Sequence, residues 1–471
     1  MLMVWRKRCR QVAAVAGAVL LTFATAACGS TDMRTVVTVW SWEPSMKMVA
    51  ENFEKLNPDI RVDIKGTSGY ENLNTAIEDG YGLPDVVQLE YFALQQYAVS
   101  GQLRNIDDEV EGYNQVYTPG TWASVHLNGS VYGLPMDSGP MAFFYNQDDF
   151  AAAGVDASTI RTWDDYYEAA KKLKSIGMYI AADGGDASFY DAMIWSAGGK
   201  PYATSSDGKT VKVNLDSDTG TKTFTEFWQK MIDEGLINTH LSTWSDGWKR
   251  ALGSGKVASV FSGAWMPSLL LSDVPGTAGL WRVAQLPTAD GIQRTAENGG
   301  SALAILHSSR KPRAAFRFIE YVCHNSAGIQ ARVDGGAFPA DNATLSRPEF
   351  LAKTTVKDAR GINIPYFGGQ AFNEVLSQAA ENVSTGYQYL PFEVYARSDF
   401  HNTVGKAYHW SNLNAAREQI RAEIAAGKTN EDGSELTLPD SPGTKISLKD
   451  GIEAWQKDLT EYGTNQGFTI Q

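Results

Sequence analysis

The stretch Gly133 to Asn146 reads G-L-P-M-D-S-G-P-M-A-F-F-Y-N. Its second half, Met141 to Tyr145, is an apolar run suited to a buried strand, and Asn146 opens a helical pattern. Its first half is interrupted by Pro135, Gly139 and Pro140, which a central strand does not tolerate. One carboxylate, Asp137, sits among uncharged neighbours. That combination is expected where a chain crosses between two lobes and leaves a polar group at the crossing to meet a ligand.

Upstream, the pattern alternates. Val36 to Ser41 is β-branched and predicts a strand, and Pro44 to Leu56 has helical apolar spacing. Ile60 to Ile64 alternates as a second strand, Tyr70 to Asp79 is a short helix, and Pro84 to Leu89 is a third strand. Strand, helix, strand, helix, strand predicts a parallel α/β unit. Ligands of such sheets sit beyond the carboxyl ends of the strands. Those ends carry Ser41-Trp42-Glu43, Thr67-Ser68-Gly69-Tyr70 and Glu90-Tyr91, each an aromatic beside polar groups.

Downstream, helices are expected over Asp148 to Ala153, Trp163 to Lys174 (with Thr162 as N-cap), Ser188 to Ala197 and Ser217 to Glu234. Trp244 to Leu252 is helical, Val257 to Phe261 a strand, and Gly263-Ala264-Trp265 opens another helix. Ser301 to Leu306 and Lys311 to Cys323 continue the alternation. The remainder is predicted helical over Gln370 to Asn382, Glu393 to Ala426 and Leu448 to Tyr462, with a polar loop from Lys428 to Pro442.

The chain starts with Arg6, Lys7, Arg8 and Arg10, then an apolar run from Val12 to Ala27, which is the pattern of a secretory signal. The run ends Ala24-Thr25-Ala26-Ala27-Cys28-Gly29-Ser30 and resembles a bacterial lipobox. Residues 1–27 are therefore expected to be removed, Cys28 to be lipidated, and 28–35 to form a tether to the extracytoplasmic face of the cell membrane. Ordinary cleavage near Ala27 is the alternative. Without Cys9 and Cys28, Cys323 has no partner for an internal disulfide. The formal charge is −13, and the leader removes only basic residues, so what remains is still more acidic. That argues against nucleic-acid binding and against electrostatic adhesion to anionic lipid.

Familiar catalytic and metal patterns are absent or broken. Gly253-Ser-Gly-Lys256 lacks phosphate-loop spacing and runs into a strand. Asn430 to Glu435 is not followed by a calcium-loop ligand pattern. His401 and His409 share a presumed helix face without a third ligand, and no nucleophile elbow occurs. No metal or cofactor is expected.

The informative constellation is aromatic. Trp42, Trp195, Trp244 and Trp265 fall at strand ends, helix starts and neighbouring loops. Sugar rings offer apolar C–H faces and polar rims, so a carbohydrate site needs flat aromatics plus amide or carboxylate partners. Glu43, Glu90, Asp137, Glu297 and Asn298 are the candidates for the second role, and Tyr70 and Gly299 are further ligand-binding candidates. For each tryptophan the competing reading is core packing, and Trp195 on a helix and Trp281 on a strand are most open to it. Asp85, after Pro84, is expected to bind backbone amides.

Together these residues resemble the family 1 extracellular solute-binding proteins, the maltose-binding-protein-like lipoproteins of carbohydrate ABC importers. The matching pieces are Val39-Trp40-Ser41-Trp42-Glu43, Leu83 to Val87, Tyr132 to Pro135 with Phe144 to Asn146, and Thr162 to Asp165. Gly255 to Ala258, Ser262 to Trp265, Gly300 to Ile305 and Ala314 to Ile319 follow in order. The resemblance implies an α/β, two-lobe periplasmic-binding type II fold with a hinge and an interlobe cleft. Residues 36–138 plus 301–340 would form one lobe and 143–296 plus 346–471 the other, with crossings near 139–142, 297–300 and 341–345. Trp265 would be the platform beneath a sugar ring. Tyr387 to Asp440 exceeds the C-terminal part of shorter members, which bears on how long a saccharide fits.

The expected function is capture of a carbohydrate, an oligosaccharide rather than a monosaccharide, by a monomeric, non-catalytic receptor that delivers it to a membrane permease. The rivals are a secreted glycosidase, which needs a carboxylate pair about 5–9.5 Å apart, and a receptor for a non-sugar solute such as glycerol phosphate, which needs a cationic cleft.

Overall fold

The computed structural model describes residues 33–66, 69–127, 129–430 and 433–471. The signal segment and Cys28, the tether before residue 33, and Thr67, Ser68, Asn128, Glu431 and Asp432 lie outside the described residues.

The chain folds into two lobes, each built on its own sheet. The first sheet has the order Ile60–Lys65, Thr35–Trp40, Val86–Glu90, Ser301–Ile305, Leu134–Pro135. Its first three strands are parallel, with Val39 opposite Val86, and Ser301–Ile305 runs antiparallel with Ser301 opposite Glu90. Val86 to Leu89 and all of Ser301–Ile305 are buried, as expected of strands covered by helices on both faces. The helices Met46–Leu56, Tyr91–Val99 and Pro312–Cys323 supply that cover.

The second sheet is antiparallel. Ala142–Asn146, buried at every position, lies between Ser259–Ser262 and Trp281–Gln285. A short parallel pair, Ala181–Ala182 with Ile237–Asn238, joins its edge through a bridge between Tyr179 and Val257. Asn146 ends the central strand and caps the next helix, accepting the amides of Asp148 and Asp149. Thr162 closes a capping box with Asp165 at the head of Trp163–Ser175. The C-terminal Thr469–Ile470 pairs with Thr210–Val211 beside Tyr202–Thr204.

The two lobes are joined by strands running side by side. Pro140 and Glu297 form a bridge, Asn298 N–H donates to the Gly139 carbonyl (2.8 Å), and Met141 N–H to that of Ala296 (2.9 Å). Residues 340–342 run beside 116–118, where Thr118 N–H donates to Ala340 and Asn342 N–H to Val116. The broken entry of the opening stretch is therefore the beginning of a passage between sheets.

One expected helix is divided. Glu393 to Ala426 forms Glu393–Asp399, a single 3-10 turn at Phe400–Asn402, and then Gly405–Ala425. The Thr403 hydroxyl donates back to the carbonyls of Asp399 and Phe400, competing with the helical ladder.

Candidate functional site

A cavity of about 620 Å³ lies between the sheets, lined from both sides by Trp42, Glu43, Gln88, Glu90 and Asp137 and by Asp183, Asp186, Trp244, Trp248 and Trp265. Its floor is a continuous polar network. Ser41 Oγ donates to Gln88 Oε1 (2.6 Å), Trp42 N–H to the same oxygen (3.2 Å), and Gln88 Nε2 to Ser301 Oγ (2.9 Å). Ser301 gives its hydroxyl (3.0 Å) and its amide to Asp137 Oδ1. Arg332, 1% exposed, pairs with Glu43 (Nη2 to Oε2, 2.9 Å), lies 3.8 Å from Asp137 Oδ2, and donates to the Met136 carbonyl. Burial pushes Asp137 up to about 6, with Arg332 opposing and Glu43 reinforcing the shift.

Trp265 stands where the passages meet. Its Nε1 donates to the Asn298 carbonyl (2.7 Å), so the indole edge is committed and the ring remains available for stacking. Gly299 has φ +89°, and a Cβ there would approach Trp265 Nε1 to 2.8 Å; glycine is required on both counts. Trp244 sits 5.3 Å from the Trp265 ring and 5.0 Å from Trp248. It is the one non-glycine among the described residues with positive φ (71°), a conformation costing about 1–2 kcal/mol. That cost holds a ring that is 41% exposed against the cavity, and Trp42 on the opposite lobe is 39% exposed.

Of the residues singled out from sequence, Trp42, Glu43, Glu90, Asp137, Trp244, Trp265, Asn298 and Gly299 line this cavity. Tyr70, Trp195 and Glu297 do not. Tyr70 stands behind Glu90, donating to Oε2 (3.1 Å) and accepting from the Glu90 amide (3.2 Å). Trp195 lies on the helix Ala187–Ser196, where Tyr190 to Ser196 are all buried, so the Trp195 end of the helix presents no solvent face. Its ring stacks on Tyr387 (4.7 Å) and its Nε1 donates to the Ser384 carbonyl (2.7 Å). Trp281 is likewise buried. Glu297, 1% exposed, accepts Ser138 Oγ–H (2.8 Å) and Gly139 N–H (2.6 Å), fastening one passage to the other. Burial pushes it up to about 7 despite those bonds. Asp85 accepts the Thr38 amide, the Ser309 hydroxyl and the Lys311 ammonium, away from the cavity.

Sequence reasoning missed Gln88, Asp183 and Arg332. Gln88 lies inside a strand and could have been found as an isolated amide in an apolar run. Asp183 accepts Trp228 Nε1 (2.8 Å) and Tyr408 Oη (2.7 Å), both distant in sequence. The lining residues include five carboxylates and no lysine or arginine, Arg332 lying beneath Glu43. No group of three or more His, Cys, Asp or Glu among the described residues could hold a metal ion.

Comparison with known proteins places these features. The family model for bacterial extracellular solute-binding proteins matches residues 40–327. The lactose-binding protein of Rhizobium radiobacter is 28% identical, over 64% of this chain and 74% of its own length. The arabinooligosaccharide-binding protein of Bacillus subtilis is 23% identical, over 66% and 75%. Among solved structures, the ABC transporter associated binding protein from B. animalis subsp. lactis in complex with beta-1,6-galactobiose is 46% identical. That match covers 93% of this chain and all of the other, with a TM-score of 0.76. The lacto-N-biose complex of a Bifidobacterium longum binding protein shares the fold at 22% identity and a TM-score of 0.71, over 93% and 99%. The chain is a member of the bacterial extracellular solute-binding protein family.

Proposed function

We propose that this protein captures a neutral short oligosaccharide, a galactosyl disaccharide in the first instance, and delivers it to an ABC permease. The observation that carries the reading is the cavity itself. Trp42 faces Trp244 and Trp265 across a polar floor that has hydrogen-bonding groups but no cation in its lining. Flat rings suit sugar C–H faces, and an acidic rim disfavours phosphates and other anions. The 46% identical protein bound to beta-1,6-galactobiose supports a galactosyl ligand. Glu43 is held by Arg332 and Asp137 by Ser301, which supports a receptor over a glycosidase. The lobes would consist of residues 36–138 with 301–340 and 143–296 with 346–471, closing about the passages at 139–142, 297–300 and 341–345. Cys28 would carry lipid and hold the receptor at the extracytoplasmic face.

Titration calorimetry with beta-1,6-galactobiose, lactose, an arabino-oligosaccharide, maltose and glycerol phosphate tests the reading. Micromolar or tighter binding of a galactosyl disaccharide, with no heat from glycerol phosphate, is expected. Preference for glycerol phosphate, or release of monosaccharide from the ligand, would overturn it.

A further inference from the structure

Helix Glu393–Asp399 belongs to the long C-terminal segment, yet it packs on helix Tyr91–Val99 of the first lobe. The contact centres on Arg397. Its guanidinium carbon lies 3.9 Å from the centre of the Phe92 ring, a cation–π arrangement reaching across from the second lobe. Nη1 donates to Ser188 Oγ (2.9 Å), and Nε lies 3.2 Å from Glu393 Oε1 and 3.3 Å from Asp191 Oδ2. Both carboxylates are at most 1% exposed, so the guanidinium is held by groups that would otherwise be buried without a counter-charge. The fork is planar and held from several sides, unlike a flexible lysine.

The position of this side chain matters because Ser188 lines the ligand cavity while Arg397 lines a second cavity of about 350 Å³. The two spaces share Asp186, Ser188 and Thr243. Glu90, on the first-lobe side, lines the ligand cavity and lies within the electrostatic reach of Arg397. The guanidinium therefore lines the second space and backs Ser188, one of the residues at which that space meets the ligand cavity. From that place behind Ser188 it also reaches the Phe92 ring of the opposite lobe.

We propose that Arg397, standing behind Ser188 rather than in the lining itself, is a specificity-determining wall that closes the ligand cavity at its Glu90–Ser188 edge and restricts the site to a disaccharide. This rests on the carbohydrate reading above. A third sugar ring would have to displace a guanidinium held by two buried carboxylates and an aromatic face. Removing the fork joins the two spaces and leaves room for that ring.

The test compares beta-1,6-galactobiose with the corresponding galactotriose by calorimetry on the full mature protein. The variants are Arg397→Met, which keeps the length of the stem, and Arg397→Met with Asp191→Asn and Glu393→Gln, which also removes the stranded carboxylates should the single variant fail to fold. The wild type is expected to favour the disaccharide at least tenfold, and a folded variant to narrow that ratio tenfold or more. A merely structural role would weaken both ligands alike, so an unchanged ratio in a folded variant overturns the wall. Equal affinity of the wild type for both saccharides overturns it as well. Binding of neither saccharide by the wild type would instead overturn the galactosyl ligand proposed above, and the disaccharide wall with it.

Discussion

Trp265 makes two commitments at once, its edge to the Asn298 carbonyl and its face to the cavity. Trp265→Ala is expected to weaken disaccharide binding at least tenfold, equivalent to about 1.4 kcal/mol, measured by calorimetry or intrinsic fluorescence. Trp265→Phe, which keeps a smaller face and loses the indole N–H, should fall between the two. This residue was legible in the sequence because Gly263-Ala264-Trp265 follows a strand and opens a helix, where an aromatic ring reaches a strand end. Trp195 had the same residue type but the opposite fate, since its end of the helix is buried on every side. Arg332 was not legible at all: it sits on a short helix, and its partner Glu43 lies 289 residues earlier. Nothing local distinguishes a buried arginine from a solvated one.

The paired passages carry an expectation for pH. Glu297, pushed up to about 7, and Asp137, pushed up to about 6, hold protons in the folded chain where the unfolded chain has lost them. The folded state thus binds more protons, and stability falls as pH rises from about 5 to 8. For Glu297 alone the effect is on the order of 3 kcal/mol. Carboxylates held low by amide bonds, such as Asp165 in its capping box, give up stability only at pH values below about 4 and do not offset this. The melting temperature should therefore be higher at pH 5 than at pH 8. Glu297→Gln, with its amide toward Ser138 and its carbonyl toward the Gly139 amide, should flatten that slope. Melting curves that rise with pH across this range would refute the assignment. At this scale the strands and helices of the first lobe were legible from alternation, and the helix Trp163–Ser175 of the second from its capping residue Thr162. The break after Asp399 was not, because it depends on a threonine hydroxyl turning back on its own helix.

Across the whole molecule, two lobes could be inferred from one interrupted strand, because proline and glycine mark where a chain leaves one sheet for another. Which helices then meet across the gap could not. The contact of Arg397 with Phe92 joins segments whose spacing in sequence carries no signal. Attachment is also a property at this scale. Cys28→Ala is expected to move the protein from the membrane fraction to the medium, and retention in the membrane fraction would refute lipidation there. No described helix is long and apolar enough to cross a membrane. Finally, the hydrogen bond from the Trp265 indole to the Asn298 carbonyl ties the ring proposed as the sugar's platform to the passage between the two sheets. If the lobes open about that passage, the carbonyl would move and tilt the platform, so opening and unloading would be one displacement. Reciprocity then requires that whatever grips the open form loosens the sugar by the same factor by which the sugar loosens that grip. Cargo release would need no separate trigger: docking onto a partner shaped for the open molecule would itself unload it.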